Sequence, residues 1–268
     1  MRNNALSLAA AAVLATGLAG QAEAGSRQSD NPVLPIDEVS DFADQMQAEL
    51  ARRGAHVAIV SRIGRDPRLL PDGIRYTHVG FWVYADIAME NGQSVRGYAV
   101  YNLYQRADDL DVSDLVQDYP ADFFAGAHAL DAGVIIPDPR LQAKLLEVIT
   151  SPTYEKLHNP RYSVIANPEN GAYQNCTEHT LDVLMAALYD TDDPGRIQAN
   201  IRAHFTPQTI DIDPIKRLLG PLVIDGVAMD DQSGTIRTST FTTIARFMAD
   251  HDLSAAAYRM TPAGMTPL

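Results

Sequence analysis

The chain has 268 residues, a formal net charge of −13 at pH 7 and a single cysteine. A surface this acidic repels phosphate backbones and anionic lipid headgroups, which argues against nucleic acid and membrane surfaces as partners. One cysteine cannot form an intramolecular disulfide, so we expect buried apolar side chains to hold the fold together.

The first residues have the pattern of a secretory signal peptide. A short positive start at residues 1–2 precedes an apolar run over residues 5–19 and an Ala-Glu-Ala cleavage site at residues 22–24. The apolar run is too short for a stable transmembrane anchor. We therefore predict a signal peptide over residues 1–24 and a periplasmic or secreted protein, with no stable membrane insertion after cleavage. The alternative is an uncleaved interfacial helix.

The rest of the chain is predicted to form one domain over residues 37–250, between a flexible N-terminus at 25–36 and a C-terminal tail at 251–268, of which the part after Met260 is expected to be loose. Helical and alternating periodicities of apolar residues give the expected elements. The predicted helices cover residues 37–53, 114–124, 140–149, 177–189, 194–205, 214–219 and 240–250. The predicted strands cover residues 56–62, 76–84, 95–105 and 222–229.

The second and third predicted strands are expected to form a hairpin around Asn91-Gly92, a dipeptide that favours tight hairpin turns. Antiparallel pairing about this turn places His78 opposite the segment from Asn102 to Gln105. The hairpin therefore brings polar side chains of two neighbouring strands together.

Cys176 is predicted to open a helix. Asn175 is a favourable N-cap, and Glu178 follows it three residues later, as in a capping box. The sulfur then lies in the first turn, where the positive end of the helix dipole favours a thiolate, so we expect a depressed pKa for Cys176. The alternative is that Cys176 is a small buried hydrophobic side chain.

A reactive thiolate needs a base, and His78 is the best candidate among seven histidines. It shares a strand face with Gly80, which leaves space above the sheet. Asn102 is a polar residue in an apolar strand and is predicted to orient the imidazole, with Gln105 as the alternative. The candidates for oxyanion donor or pocket wall are Gln174, Tyr76, Trp82 and Tyr104.

We predict no metal and no cofactor. The pair Cys176 and His179 has the spacing of half a metal site, but the chain has neither a second cysteine nor a His-Glu-x-x-His run. His179 is therefore interpreted as a solvent-facing helix residue or a contributor to the rim of the site. Residues 64–73 lack a phosphate-loop pattern, which argues against a nucleotide site.

Three segments of the chain resemble an exported bacterial family catalogued as Domain of Unknown Function 2145. They are Val-Ala-Ile-Val-Ser-Arg-Ile-Gly-Arg-Asp at residues 57–66, Tyr-Thr-His-Val-Gly at 76–80 and Tyr-Gln-Asn-Cys at 173–176. The order of histidine strand before cysteine helix also resembles the circularly permuted NlpC-type papain-like hydrolases. The resemblance extends over roughly residues 37–250. It implies an α+β, papain-like fold whose antiparallel sheet packs against the helix that carries the cysteine.

The resemblance implies an exported thiol-dependent hydrolase or acyltransferase acting on an amide or ester. Its catalytic residues would be Cys176, His78 and Asn102, although some relatives use His, Glu or Gln as the third residue. The substrate would be a small molecule, a peptide or an acyl compound, and the predicted location suggests peptidoglycan peptides. The alternative is a non-catalytic envelope binding or assembly protein on a papain-like scaffold.

Overall fold

The computed structural model describes residues 33–88, 94–211 and 226–268. The predicted signal peptide, most of the predicted flexible N-terminus, the Asn91-Gly92 turn, the predicted helix 214–219 and the start of the predicted strand 222–229 lie outside the described residues. Residues 226–229 are described and are not in a strand.

Most of the predicted helices and strands are present near their predicted positions. The α-helices are α1 (Ile36–Arg52), α2 (Pro120–Ala125), α3 (Pro139–Ile149), α4 (Pro152–Lys156), α5 (Cys176–Tyr189), α6 (Pro194–His204) and α7 (Phe241–Asp250). The strands are β1 (Val57–Ile63), β2 (His78–Ala88), β3 (Ser94–Gln105), β4 (Ser113–Asp118), β5 (Ala129–Pro137), β6 (Gln208–Ile210), β7 (Ile236–Thr238), β8 (Ser254–Thr261) and β9 (Gly264–Pro267). A short 3-10 helix covers Pro67–Leu69.

Seven strands form one sheet in the order β4-β3-β2-β1-β5-β8-β9. Every neighbouring pair in this sheet is antiparallel. The predicted hairpin of β2 and β3 is present, and its pairing runs from Gly80 opposite Asn102 to Ala88 opposite Ser94. Strands β6 and β7 form a separate two-stranded sheet.

The sheet is covered on both faces, because β1 is buried along its whole length. Helices α1 and α2 pack on one face, in a core that includes Phe42, Trp82 and Phe123. Helices α3, α5 and α7 pack on the other, in a core that includes Val79, Leu184 and other apolar residues. The predicted fold class is confirmed: the fold is α+β, and an antiparallel sheet packs against the helix that carries the cysteine.

The predicted helix over residues 114–124 is wrong in its first half. The segment forms edge strand β4, then the extended residue Tyr119, and only then α2. Ser113 and Asp118 are buried at the two ends of the strand. Pairing with β3 provides hydrogen-bond partners for the backbone N–H and C=O groups along one side of β4. Pro120 begins α2 because proline fits the first helical turn but disrupts a helix interior. Tertiary strand pairing thus overrides a weak helical pattern.

The prediction of a loose segment after Met260 is also wrong. The predicted C-terminal tail forms the hairpin β8–β9, and β8 pairs with β5 inside the main sheet. The side chains of Tyr258 and Met260 are buried, and Arg259 between them forms a salt bridge with Asp131. Gly264, with φ of +130°, adopts a backbone conformation at the turn that other residues rarely reach. The sheet therefore extends almost to the end of the chain.

Among the described residues, no helix combines the length and the apolar character that crossing a membrane requires.

Candidate functional site

The structure joins His78 and Asn102 by a side-chain hydrogen bond across the β2–β3 hairpin. His78 Nε2 lies 3.0 Å from Asn102 Oδ1. The orientation of the Asn102 side-chain amide follows from its NH2 group, because Asn102 Nδ2 donates to Asp118 Oδ1 at 2.7 Å. Asn102 Oδ1 therefore accepts from the imidazole, and Nε2 carries the proton.

The second ring nitrogen of His78 is left with an unused lone pair. His78 Nδ1 is buried and has no hydrogen-bond partner within the described structure. Burial, followed by the nearby Arg62 charge, lowers the pKa of His78 well below its usual value. The imidazole is thus neutral, fixed at Nε2 and able to accept a proton at Nδ1.

Gly80 permits the approach of Asn102 to the histidine. A Cβ atom at this position would lie 2.6 Å from Asn102 Oδ1 and 3.0 Å from the Tyr101 carbonyl oxygen. The space that Gly80 leaves is therefore filled by the Asn102 amide, and not by a substrate.

Asp118 completes a buried network behind Asn102. Its Oδ2 accepts a hydrogen bond from the Tyr104 hydroxyl at 2.9 Å. The Tyr104 ring stacks on the His78 ring, with centroids 4.6 Å apart and an interplanar angle of 13°. Burial raises the pKa of Asp118 to about 7, against the opposing effect of the Tyr104 hydrogen bond. The sequence prediction missed Asp118 because it lay inside the incorrectly predicted helix.

Replacing Asp118 by Asn is expected to change how stability depends on pH. A carboxyl group whose pKa is raised by folding holds its proton more tightly in the folded state, so the native protein loses stability from Asp118 as pH rises from about 4 to about 7. Asp118→Asn removes this contribution, which is at most about 1.4 kcal/mol per pH unit. Urea unfolding of both proteins across this range measures the difference. Equal pH slopes would show that Asp118 does not titrate in this window.

The predicted N-cap of the cysteine helix is confirmed. Asn175 Oδ1 accepts hydrogen bonds from the Glu178 amide at 2.9 Å and from Thr177 Oγ1 at 2.7 Å. Cys176 is consequently the first residue of α5. The cap fixes where the sulfur points.

The sulfur of Cys176 rests against the backbone on both sides of His78. Sγ lies 3.9 Å from the Thr77 carbonyl oxygen, and the Val79 amide donates toward it. The β2–β3 pairing starts one residue later, at Gly80 and Asn102. The thiol therefore occupies the point where the two strands separate.

The sulfur contacts the backbone of the residues that flank His78, but it is not hydrogen-bonded to the imidazole. Cys176 belongs to the core on the α5 face, whereas His78 packs against Tyr104 and Phe123 toward the α2 face. Both residues are almost fully buried, Cys176 at 4% and His78 at 1% exposure. Burial raises the pKa of the Cys176 thiol to about 11, despite opposing effects from the Val79 amide and from Arg62. The expected depressed pKa is therefore wrong for this arrangement.

Arg62 is a second residue near the site that the sequence analysis did not single out. It faces His78 in the β1–β2 pairing and is fully buried. Its guanidinium lies over the rings of Tyr104 and Phe123, with 5.7 Å and 5.2 Å to the ring centroids, and donates to the Phe123 carbonyl oxygen. A signal was available in the sequence, since a charged arginine stands within a strand that is otherwise made of apolar residues and one serine.

Residues 49–248 match the model of a family described as an uncharacterized protein conserved in bacteria (DUF2145). The chain belongs to this family. The matched region contains Cys176, His78, Asn102, Asp118 and Arg62. No curated protein and no solved structure matches the chain.

Two further predicted residues of this DUF2145 chain have other roles than expected. Gln174 Nε2 donates to Asp182 Oδ2 at 2.7 Å and to the Leu157 carbonyl at 2.9 Å, so both of its hydrogens are used in structural bonds and neither is available to an oxyanion. His179 is not solvent-facing, because it is only 2% exposed and packs against Tyr154. Burial lowers the pKa of His179 to about 3.

The aromatic pocket candidates lie in different places. Tyr104 contacts His78 directly. Trp82 is fully buried and packs on Phe123, which in turn packs on His78, and Tyr76 packs on Phe241 on the opposite face. Gln105, the alternative third residue, donates to the Leu110 carbonyl instead. Within the described residues there is no group of three or more side chains that could hold a metal ion.

Proposed function

We propose that this protein is a thiol-dependent hydrolase or acyltransferase acting on an amide or ester. Cys176 is the nucleophile, His78 the base and Asn102 the residue that orients His78. The observation that carries the proposal is an imidazole held at Nε2 by Asn102 with an unpaired Nδ1, while the lone thiol of the chain rests against the backbone of the residues that flank this histidine.

The chemistry requires one proton acceptor and one nucleophile. The thiol proton moves to His78 Nδ1 as Sγ attacks the carbonyl carbon, and the carbonyl electron pair moves to oxygen. When the tetrahedral intermediate collapses, the leaving amine or alcohol takes the proton from Nδ1 and a thioester remains. Water yields hydrolysis of the thioester, and another acceptor nucleophile yields acyl transfer.

Asn102 and Asp118 support this cycle through hydrogen bonds. Asn102 Oδ1 accepts from Nε2 whether the ring is neutral or charged, which keeps Nδ1 directed away from β3. Asp118 fixes the Asn102 amide, because an inverted amide would lose the hydrogen bond to Asp118 and would point its oxygen at the Asp118 carboxyl oxygen and the Val100 carbonyl oxygen.

Turnover also requires a change from the arrangement described. Cys176 and His78 are buried and not hydrogen-bonded, and their side chains lie toward opposite faces of the sheet, so the start of β2 must rearrange until the imidazole and the sulfur face the same space. Apo sites often show long or misaligned catalytic contacts that tighten on substrate binding. We therefore propose that substrate binding brings Sγ and Nδ1 together.

The finer fold assignment and the location belong to the same proposal. A histidine strand that precedes a cysteine helix, with the helix packed on an antiparallel sheet, fits a permuted papain-like domain of the NlpC type. A periplasmic or secreted enzyme of this kind would meet peptidoglycan peptides, which makes them the first substrates to test.

One observation favours a second candidate, a non-catalytic binding or assembly protein on the same scaffold. The thiol is buried and its pKa is raised to about 11, as expected for a cysteine that only fills space in the core. In that case, the polar network around His78 would serve the stability of the fold alone.

Reaction with electrophilic acyl probes distinguishes the two candidates. We expect native protein to form a covalent adduct, detected by mass spectrometry, and Cys176→Ala to form none. His179→Ala is the matched control, because it removes an equally buried histidine outside the Asn102 network. A native thiol that reacts only after denaturation would support the non-catalytic candidate.

A further inference from the structure

We propose that Glu178 makes the opening of the first turn of α5 depend on pH. While Glu178 keeps its proton, the turn stays packed and Cys176 stays buried, whereas loss of this proton favours an open turn that exposes the thiol. Opening supplies the access to the buried thiol that turnover requires, and this consequence rests on the proposed function. The pH dependence of the opening itself does not.

Glu178 carries a carboxyl group that is buried in the first turn of the cysteine helix. It lies two residues after Cys176, and only 3% of its surface is exposed. Its backbone amide donates to Asn175 Oδ1 at 2.9 Å, but among the described residues its side chain does not complete the predicted capping box. Oε2 is buried and has no hydrogen-bond partner within the described structure. The carboxyl group is therefore packed in the interior without a donor at this oxygen.

The charged groups that act on Glu178 are carboxylates from two parts of the fold. Asp182 lies four residues later in α5, so its side chain is one helical turn away on the same side of the helix. Its Oδ2 accepts from Gln174 at 2.7 Å. Asp231 lies in the turn before β7, its Oδ1 is also buried without a partner in the described structure, and Asp230 adds negative charge beside it. Ionisation of Glu178 would add a further negative charge to this cluster.

These surroundings keep Glu178 protonated while the turn is closed. A buried carboxyl group without a donor or a cation retains its proton, because an isolated buried carboxylate is very costly. Burial, followed by the charges of Asp182 and Asp231, raises the pKa of Glu178 well above its usual value. In an open turn water reaches the group, and its pKa returns to about 4.3. Raising the pH above this value therefore favours the open turn, where Glu178 can ionise.

The test is backbone hydrogen exchange, followed by NMR in native protein and in Glu178→Gln, which keeps the shape of the side chain but cannot ionise. The amides of residue 178 and His179 report the first turn, because they donate to Asn175 Oδ1 and to the Asn175 carbonyl oxygen, each at 2.9 Å. After correction for intrinsic rates, we expect the ratio of native to variant exchange rates to rise with pH. The rise should approach about tenfold per pH unit above about 4.3.

Glu155→Gln is the matched control. Glu155 also lies in the first turn of a helix, but its side chain is exposed. The ratio of native to Glu155→Gln exchange rates at residue 178 and His179 should therefore stay constant with pH. This control separates the burial of Glu178 from the general effect of removing one negative charge.

A ratio of native to Glu178→Gln exchange rates that does not change with pH in folded proteins would overturn the inference. If Glu178→Gln does not fold, the 13C NMR signal of the Glu178 carboxyl carbon in native protein decides. A carboxyl group that is still protonated at neutral pH supports the inference. One that ionises near the usual pKa of glutamate overturns it.

Reaction with acyl probes separates this inference from the proposed function. Adduct formation is expected to accelerate more steeply with pH in native protein than in Glu178→Gln, because ionisation of Cys176 contributes to both proteins alike. No adduct at any pH, together with exchange that depends on Glu178, would reject the proposed function and keep the inference. Adduct formation with exchange that does not depend on Glu178 would reject the inference and keep the proposed function.

Discussion

Cys176→Ala and His78→Ala are each expected to lower kcat by at least about 10³-fold, and the double variant to be no worse than either single one. The reason is that the two residues carry out one proton transfer. Without the thiol there is no proton for Nδ1 to accept, and without His78 a thiol of raised pKa stays protonated near neutral pH. Asn102→Ala should retain more activity, with a loss of ~10- to 100-fold, because it only misplaces the ring.

The measurement is steady-state kinetics on a substrate found with the acyl probes, with folding checked by circular dichroism. His179→Ala is again the control for removal of a buried histidine and should leave kcat within a few-fold of native. Native activity in His78→Ala would eliminate the proposed mechanism. Native activity in Asn102→Ala would remove Asn102 from the orienting role.

Gly80→Ala is expected to lower kcat by about 100-fold while the protein stays folded, since a displacement of about 1 Å at an orienting group has an effect of this size. The added methyl group would lie 2.6 Å from Asn102 Oδ1, so the amide must withdraw from His78 Nε2. The His78 ring would then lose the hydrogen bond that fixes its tautomer.

Gly97→Ala is the matched control for this substitution. Gly97 lies on β3, next to β2, and a methyl group there would meet Ile87 Cδ1 at an ordinary contact distance of 3.5 Å. It should therefore leave kcat unchanged. The NMR signal of the Nε2 proton of His78 reports the displaced hydrogen bond directly. Native kinetics in folded Gly80→Ala would show that the His78–Asn102 bond is not needed for turnover.

The sequence predicts those parts of the site that depend on local patterns. The cap at Asn175 and the start of α5 at Cys176 follow from side chains within one helical turn. The hydrogen bond between His78 and Asn102 follows from the antiparallel pairing of two strands that are consecutive in the sequence. In each case the determining residues are near one another in sequence.

The parts that the sequence does not predict depend on distant partners. Asp118 becomes a site residue only because β4 pairs with β3, and that pairing overrides the helical pattern of the segment. The Cys176 thiol pKa shifts upward because burial by several elements outweighs the helix dipole. Arg62 joins the site only when β1, β2 and α2 are assembled around it.

The C-terminal hairpin affects how the domain can be isolated. The family match ends at residue 248, yet β8 begins at Ser254 and supplies the neighbour of β5 in the sheet. A fragment cut at the family boundary would leave the buried strand β5 with an open edge. Open apolar edges recruit strands from other molecules, so such a fragment would self-associate instead of yielding a soluble monomer. The physical domain is longer than the stretch that defines the family.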